Sequence, residues 1–123
     1  MAERQDTGKL GEAIALGYLL SKGYSILETN WQANHKEIDI IAQKGDVLVI
    51  VEVKARKTSF FGEPEEFVTR GKQKLLVEAA NHYISKNNLD FEVRFDIISV
   101  LFKGENHVVH HIEDAFYPTI SLR

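Results

Sequence analysis

The chain has 123 residues, of which 44% are hydrophobic and 27% charged, as in ordinary globular proteins. This length predicts one domain, residues 1–123, with its own core. It contains no cysteine, which excludes disulfides, thiolate nucleophiles and cysteine-bound zinc. The formal net charge of −3 does not by itself favour a nucleic-acid partner, and the lack of a long apolar run or an apolar N-terminal signal predicts a cytoplasmic protein.

The first predicted element is a helix over residues 8–21, with Thr7 as its N-cap and Gly23 as the position where it ends. Its predicted apolar stripe consists of small and aliphatic residues at helical spacing: Leu10, Ala13, Ile14, Leu16, Gly17, Leu19 and Leu20. Glu12 lies in the first turn, where the helix dipole alone accounts for a carboxylate. Alternatively, the leucines on its face turn it towards the interior, where it can serve a site.

A strand is predicted over residues 24–31, followed by a hairpin whose two arms are rich in isoleucine and valine. The arms cover residues 36–41 and 47–54. The pair Gly45-Asp46 between them is typical of a two-residue turn. The register that follows from this turn determines which side chains share a face of the sheet.

The hairpin register predicts two faces of different character. One face is mixed in polarity and carries Glu37, Asp39, Ile41, Ile50, Glu52 and Lys54. The other is aliphatic and carries Ile38, Ile40, Val49, Val51 and Val53. Asp39 then faces Glu52 at roughly 5 Å between Cβ atoms, where like charges destabilise a sheet. A cation held between the two carboxylates would offset this repulsion.

Two interpretations of the acidic pair follow. The first is a metal site, with Lys54 one pleat beyond Glu52 and directed at the same place. The second is that both carboxylates are solvated on the polar face of an antiparallel sheet, with Lys54 as a partner of Glu37. The apolar run over residues 47–53 favours burial on both faces, where a carboxylate needs a specific role.

The second half of the chain begins with a predicted loop over residues 55–64, which contains basic residues and the adjacent Phe60 and Phe61. These side chains either bind a substrate or anchor the loop to the core. Thr69 is the predicted N-cap of a helix that runs to about residue 85. Its predicted buried stripe is Leu75, Leu76, Ala79, Ala80, Tyr83 and Ile84. Basic residues in its first turns oppose the helix dipole and, with those of the loop, permit a polyanionic ligand.

Two further strands are predicted over residues 91–102 and 107–112. The second contains three histidines, His107, His110 and His111. Because His110 and His111 are adjacent on a strand, their side chains point to opposite faces. We therefore predict surface histidines rather than a cluster of metal ligands.

The predicted elements follow the order helix–strand–hairpin–helix–hairpin. Three acidic motifs lie on the first helix and on the two strands of the first hairpin: Gly11-Glu12, Glu37-Ile38-Asp39 and Glu52-Val53-Lys54. In this arrangement the chain resembles the PD-(D/E)XK nuclease superfamily, and within it the YraN-like family of predicted endonucleases, which is similar to archaeal Holliday-junction resolvases. Further motifs that carry the resemblance are Asn30-Trp31, Phe61-Gly62 and Arg94-Phe95-Asp96. The resemblance implies an α/β fold, a restriction-endonuclease-like mixed β-sheet flanked by two main helices in the order α-β-β-β-α-β-β.

The resemblance also implies a nuclease that depends on Mg²⁺ or Mn²⁺ and acts on DNA, including branched or structured DNA. The implied metal ligands are Asp39, Glu52, the main-chain carbonyl of Val53 and, directly or through water, Glu12. Lys54 would position or activate the attacking water, or stabilise charge on phosphorus. The implied nucleic-acid contacts are Lys72 or Gln73, together with Arg56 of the basic loop. Oxygen ligands without histidine or cysteine suit magnesium rather than zinc.

Two positions depart from the family pattern. Ile38 stands where the superfamily name has proline, which leaves the metal site intact, and Lys36 stands where relatives often have glycine, which alters substrate approach near His35. The alternative function is a non-catalytic nucleic-acid-binding module that retains the nuclease fold, and a third is a scaffold for a protein partner. Junction resolution would require two active sites and hence a homodimer.

Overall fold

The computed structural model describes residues 2–57 and 68–116, with side chains from residue 7 onward. The elements follow the order α1 (Ala2–Ser21), β1 (Ser25–Ala33), β2 (Lys36–Lys44), β3 (Val47–Arg56), α2 (Arg70–Asn87), β4 (Glu92–Lys103) and β5 (Asn106–Ile112). This confirms the predicted α/β order. The predicted roles of Phe60 and Phe61 lie outside the described residues. In the part of the chain that the structure describes, no helix is long and apolar enough to cross a membrane.

The five strands form one mixed sheet in the order β1-β2-β3-β4-β5. Strands β3 and β4 are parallel, and the other neighbours are antiparallel. A parallel pair needs a long crossover connection, and the chain segment between β3 and β4 contains α2. The sheet therefore has helices available to cover both of its faces.

The hairpin register is confirmed at the turn. Lys44 pairs with Val47, Ile41 pairs with Ile50, and Gly45 adopts a positive φ of 59°, which glycine tolerates without steric cost. Each face of the resulting sheet supports a buried cluster. The cluster on the α1 side is Ala15, Leu19, Tyr24, Ile40, Ala42, Val49, Val51, Ile98 and Val100. The cluster on the α2 side is Ile38, Ile41, Leu48, Ile50, Leu76, Val77, Ala79, Ala80, Tyr83 and Phe95.

The prediction that Ile38 shares a face with Ile40 is wrong. Ile38 belongs to the cluster on the α2 side, whereas Ile40 belongs to the cluster on the α1 side. The alternation of β2 therefore breaks at Asp39. On the neighbouring strand, Asn30 adopts a left-handed φ of 50° between the pairs Thr29–Ile40 and Trp31–Ile38. A left-handed residue in one strand disrupts the regular ladder, so the two strands change face together.

Helix α1 differs from its prediction at its start and in its buried face. It begins at Ala2, so Thr7 lies inside the helix and is not its N-cap. Leu10 and Leu20 are 51% and 58% exposed, and the buried positions are Gly11, Ala15 and Leu19. The reason is a close approach: a Cβ on Gly11 would lie 2.6 Å from the Cβ of Ala55 in β3, so the helix presents Gly11 to the sheet at this point, with Ala15 and Leu19 on the same face.

The ends of the helices are largely as predicted. Gly23 ends α1 with a φ of 90°, and the amide of Tyr24 donates to the carbonyl of Leu19 at 3.0 Å, as in a Schellman motif. Thr69 caps α2 by accepting a hydrogen bond from the amide of Lys72 at 3.1 Å. One stripe position was wrong: Leu75 is exposed, and Val77 is buried in its place.

The prediction of three surface histidines is wrong for His111. Its side chain is only 6% exposed, and its Nε2 lies 2.7 Å from a carboxylate oxygen of the buried Asp96, which can only accept. Arg94 donates to the same carboxylate at 2.8 and 2.9 Å. Burial alone would raise the pKa of Asp96, but hydrogen bonds from His111, Arg94 and the amide of Asp114 outweigh it and hold this pKa below its ordinary value. His107 is exposed, as predicted.

Candidate active site

The site lies where β2 and β3 part. Their pairing extends from the turn as far as Ile40 and Val51. One residue beyond this pair, the side chain of Asp39 takes the place of a backbone acceptor, and its Oδ2 accepts a hydrogen bond from the amide of Val53 at 2.8 Å. In an extended strand the amide and carbonyl of one residue face the same neighbouring strand. The carbonyl of Val53 is therefore directed towards the side on which Asp39 lies.

The charge of Glu52 acts strongly on the half-buried carboxylate of Asp39. Burial raises the pKa of Asp39 above its ordinary 3.8, and the neighbouring charge of Glu52 raises it further, to about 7, against the opposing effect of the hydrogen bond from Val53. Burial also raises the pKa of Glu52, although the charges of Lys72 and Lys54 oppose this. Glu52 therefore interacts electrostatically with both Asp39 and Lys54, as expected if the three predicted site residues lie together.

Glu12 reaches the edge of this group from the other side of the sheet. The close packing of Gly11 on Ala55 brings the first described turns of α1 to the end of β3, and the charge of Glu12 contributes to the raised pKa of Asp39. The interpretation of Glu12 as a residue turned towards the interior is favoured, since it is half-buried. The helix dipole alone does not account for it, because residue 12 is not in the first turn of a helix that begins at Ala2.

Asn30 was not predicted as a site residue. Its Nδ2 donates to Oε1 of Glu12 at 3.1 Å and to Oε2 of Glu37 at 3.3 Å, so a single amide connects α1 to β2 beside Asp39. Two signals in the sequence pointed to it: the Asn30-Trp31 motif of the resemblance, and the residue type, because asparagine is among the few residues that adopt the left-handed region readily. Nothing local to the sequence indicates that it bridges two carboxylates.

The three predicted nucleic-acid contacts occupy different positions. Lys72 points into the site, with its Nζ 3.7 Å from Oε2 of Glu52. The amide nitrogen of Gln73 donates to the carbonyl of Val68 at 3.0 Å, and so helps to hold the start of α2. Arg56 is exposed at the end of β3. Only Lys72 is brought to the carboxylates.

The donor set fits a hard cation that retains most of its water. Within residues 7–57 and 68–116, no three histidine or acidic side chains are close enough to form a ready-made cage. The available oxygens are those of Asp39, Glu52 and the Val53 carbonyl, with Glu12 further out. Mg²⁺ is commonly bound by one or two carboxylates and keeps several waters. The raised pKa values of Asp39 and Glu52 show that their ionised forms are unfavourable without a partner, and a bound cation would favour those forms.

Fold and site together define a small α/β protein with two half-buried carboxylates and a lysine at the parting of two central strands. The chain belongs to the family described as Uncharacterised protein family UPF0102, whose model matches residues 11–100. A UPF0102 protein of Flavobacterium psychrophilum is 54% identical over 117 residues, which cover 95% of this chain and 98% of that protein. UPF0102 proteins of Bacteroides thetaiotaomicron and Phocaeicola vulgatus are 46% and 43% identical over 120 residues, covering 98% of this chain and 99% of each relative.

Proposed function

We propose that this protein is a divalent-metal-dependent nuclease that hydrolyses phosphodiester bonds in DNA. The observation that carries the proposal is the grouping of Asp39, Glu52 and Lys54 at the parting of β2 and β3, where burial raises the pKa values of both acids and the charge of Glu52 raises that of Asp39 further. Two half-buried carboxylates with a neighbouring ammonium suit phosphodiester hydrolysis, which needs cation binding and stabilisation of developing negative charge. The resemblance to the PD-(D/E)XK superfamily supports the same conclusion, and we propose membership of it and a cytoplasmic location.

Each residue has a definite task in this proposal. Asp39, Glu52 and the Val53 carbonyl hold Mg²⁺ or Mn²⁺, with Glu12 acting directly or through water. When bound, the metal polarises the phosphoryl group and lowers the pKa of water. Lys54 holds the attacking water or places its positive charge beside the phosphoryl oxygens, which it can do because its charge acts on Glu52 in the same site.

The proposal is tested by incubating the pure protein with linear, flapped and four-way-junction DNA in Mg²⁺ or Mn²⁺, with a chelator as control. We expect cleavage that stops with chelator and falls by about 10²–10⁴-fold in Asp39→Asn and in Lys54→Met. Glu92→Gln, an exposed carboxylate at the other end of the sheet, is the matched control and should cleave normally. Preferential cleavage of junctions would further predict a homodimer, since two strands must be cut.

The alternative outcomes are distinct. DNA binding without nicking, insensitive to chelator, would identify a non-catalytic nucleic-acid-binding module on the same fold. Failure to bind any DNA or RNA at low salt, where phosphate contacts are strongest, would instead indicate a scaffold for a protein partner. Asp39→Asn with unchanged affinity for Mn²⁺ would contradict the assignment of the metal site.

A further inference from the structure

We propose that the ammonium group of Lys72 occupies the cation position at Glu52 until a divalent ion binds, and is then released to bind a DNA phosphate. Metal binding and DNA binding would thereby be coupled through one side chain. This inference rests on the proposed nuclease function but goes beyond it, because it makes Lys72 a competitor of the metal before it becomes a partner of the substrate.

The first support is the contact itself. Lys72 Nζ lies 3.7 Å from Glu52 Oε2, and the Glu52 side chain is only 12% exposed whereas that of Lys72 is 41% exposed. A buried carboxylate needs a compensating positive charge. The ammonium reaches it from solvent on a flexible stem, so it can leave without any movement of the backbone.

The second support is the position of Lys72 on α2. The helix begins at Arg70 with no acidic residue in its first turn, and a lysine so close to the N-terminus is disfavoured by the helix dipole. The helix start is held by other groups, namely the hydroxyl of Thr69 and the side chain of Gln73. The contact with Glu52 therefore accounts for a lysine at this unfavourable position. Loss of that contact would leave the N-cap of α2 intact.

The third support is the strength of the interaction. A half-exposed ion pair is weak and is screened by salt, whereas a divalent ion between Asp39 and Glu52 would interact with two carboxylates at once. The ion would also repel the ammonium at short range. The released Lys72 would then face the incoming phosphates beside the start of α2, where the helix dipole also favours an anion.

The test compares Lys72→Gln with Lys74→Gln, an exposed lysine two residues along the same helix. Affinity for Mn²⁺ is measured by calorimetry without DNA, and affinity for duplex DNA by fluorescence anisotropy in Ca²⁺. We expect Lys72→Gln to bind Mn²⁺ up to about fivefold more tightly than the wild type, because a competing ion pair of ordinary strength is gone. We also expect weaker binding of DNA, with a slope in log salt reduced by about one. Lys74→Gln should bind Mn²⁺ as the wild type does.

Opposite effects on the two affinities are the signature of competition, and a merely structural lysine would not produce them. Unchanged or weaker Mn²⁺ binding in Lys72→Gln would overturn the inference, as would equal gains in both lysine variants. If Mn²⁺ binding is lost in Glu52→Gln but Lys72→Gln has no effect, the metal site stands and only the coupling fails. If Glu52→Gln and Asp39→Asn both bind Mn²⁺ normally, the proposed function itself fails.

Discussion

The carboxylate of Asp39 accepts a hydrogen bond from the amide of Val53 at 2.8 Å, although the two residues belong to strands that no longer pair at that point. A side chain thus replaces a backbone acceptor at the place where the ladder between β2 and β3 stops. The replacement keeps a backbone donor satisfied and holds the carboxylate next to Glu52. The acid that repels its neighbour is therefore fixed in place by the fold.

Asp39→Asn should change how stability depends on pH in the absence of metal. The pKa of Asp39 is about 7 in the folded protein and 3.8 ordinarily, so between these values the folded state binds a proton that the unfolded chain has released. This contribution to stability is fully present below pH about 4 and is lost as pH rises through 7, a change on the order of 4 kcal/mol. The asparagine side chain of the variant cannot ionise, so the variant should lose this slope.

The measurement is the free energy of unfolding in denaturant with chelator, at several pH values from 5 to 8. The asparagine oxygen can still accept the hydrogen bond from Val53, so the comparison isolates the charge. Glu52 has a raised pKa of its own and leaves a residual slope of the same sign. Parallel pH dependences for Asp39→Asn and wild type would show that the carboxylate is not held in an unfavourable environment.

Gly11→Ala should destabilise the protein by about 1–3 kcal/mol, because the new methyl group would lie 2.6 Å from the Cβ of Ala55 and the helix must shift to relieve the overlap. Gly17→Ala is the matched control: it lies in the same helix, and no atom is within 4 Å of the position that its new Cβ would take. It should stabilise the protein by about 0.5–1 kcal/mol through helix propensity alone. Equal effects of the two substitutions on thermal unfolding would refute the close approach.

Much of the site could be predicted from the sequence, because a hairpin register follows from local information. The turn at Gly45 sets the register from Lys44–Val47 to Ile40–Val51, and this register brings the next residues, Asp39 and Glu52, to the same end of the hairpin. The reversal of Ile38 could not be predicted, since its cause is the left-handed φ of Asn30 on another strand.

The buried face of α1 was missed for a similar reason. Small and aliphatic residues occupy much of the circumference of this helix. The pattern of apolar residues is therefore compatible with more than one buried face. The choice depends on the contact between Gly11 and Ala55, which are far apart in the chain. His111 is a third case: whether a strand histidine is buried depends on the acid beside it, here Asp96 on the adjacent strand.

Substitutions of Asn30 should separate its backbone role from its side-chain role. Asn30→Gly keeps access to the φ of 50° but removes the amide that connects Glu12 to Glu37. We expect a loss of stability below about 1 kcal/mol, together with weaker Mn²⁺ binding because Glu12 is no longer held.

Asn30→Asp places a third carboxylate beside the other two. We expect this substitution to destabilise the protein at neutral pH, and we expect addition of Mn²⁺ to restore the stability. Calorimetry and thermal unfolding measure both, and an Asn30→Asp variant that Mn²⁺ does not rescue would contradict a role in the metal site.

His111→Ala should be among the most destabilising single substitutions on β5. Asp96 is buried, and the hydrogen bond from His111 is the largest single cause that opposes the effect of burial on its pKa. Removing a partner of a buried charge costs about 2–4 kcal/mol, and the cavity left beside Tyr18, whose hydroxyl lies 3.1 Å from Nδ1 of His111, adds to it.

The effect of His111→Ala should depend on pH. Asp96 stabilises the folded state only while it is ionised, so its contribution is present above its unfolded pKa and is lost on acidification. The difference in stability between the variant and the wild type should therefore become small in acid. His107→Ala, at an exposed position of the same strand, should cost under about 1 kcal/mol, and similar midpoints for the two variants in urea at neutral pH would show that the contact with Asp96 contributes little.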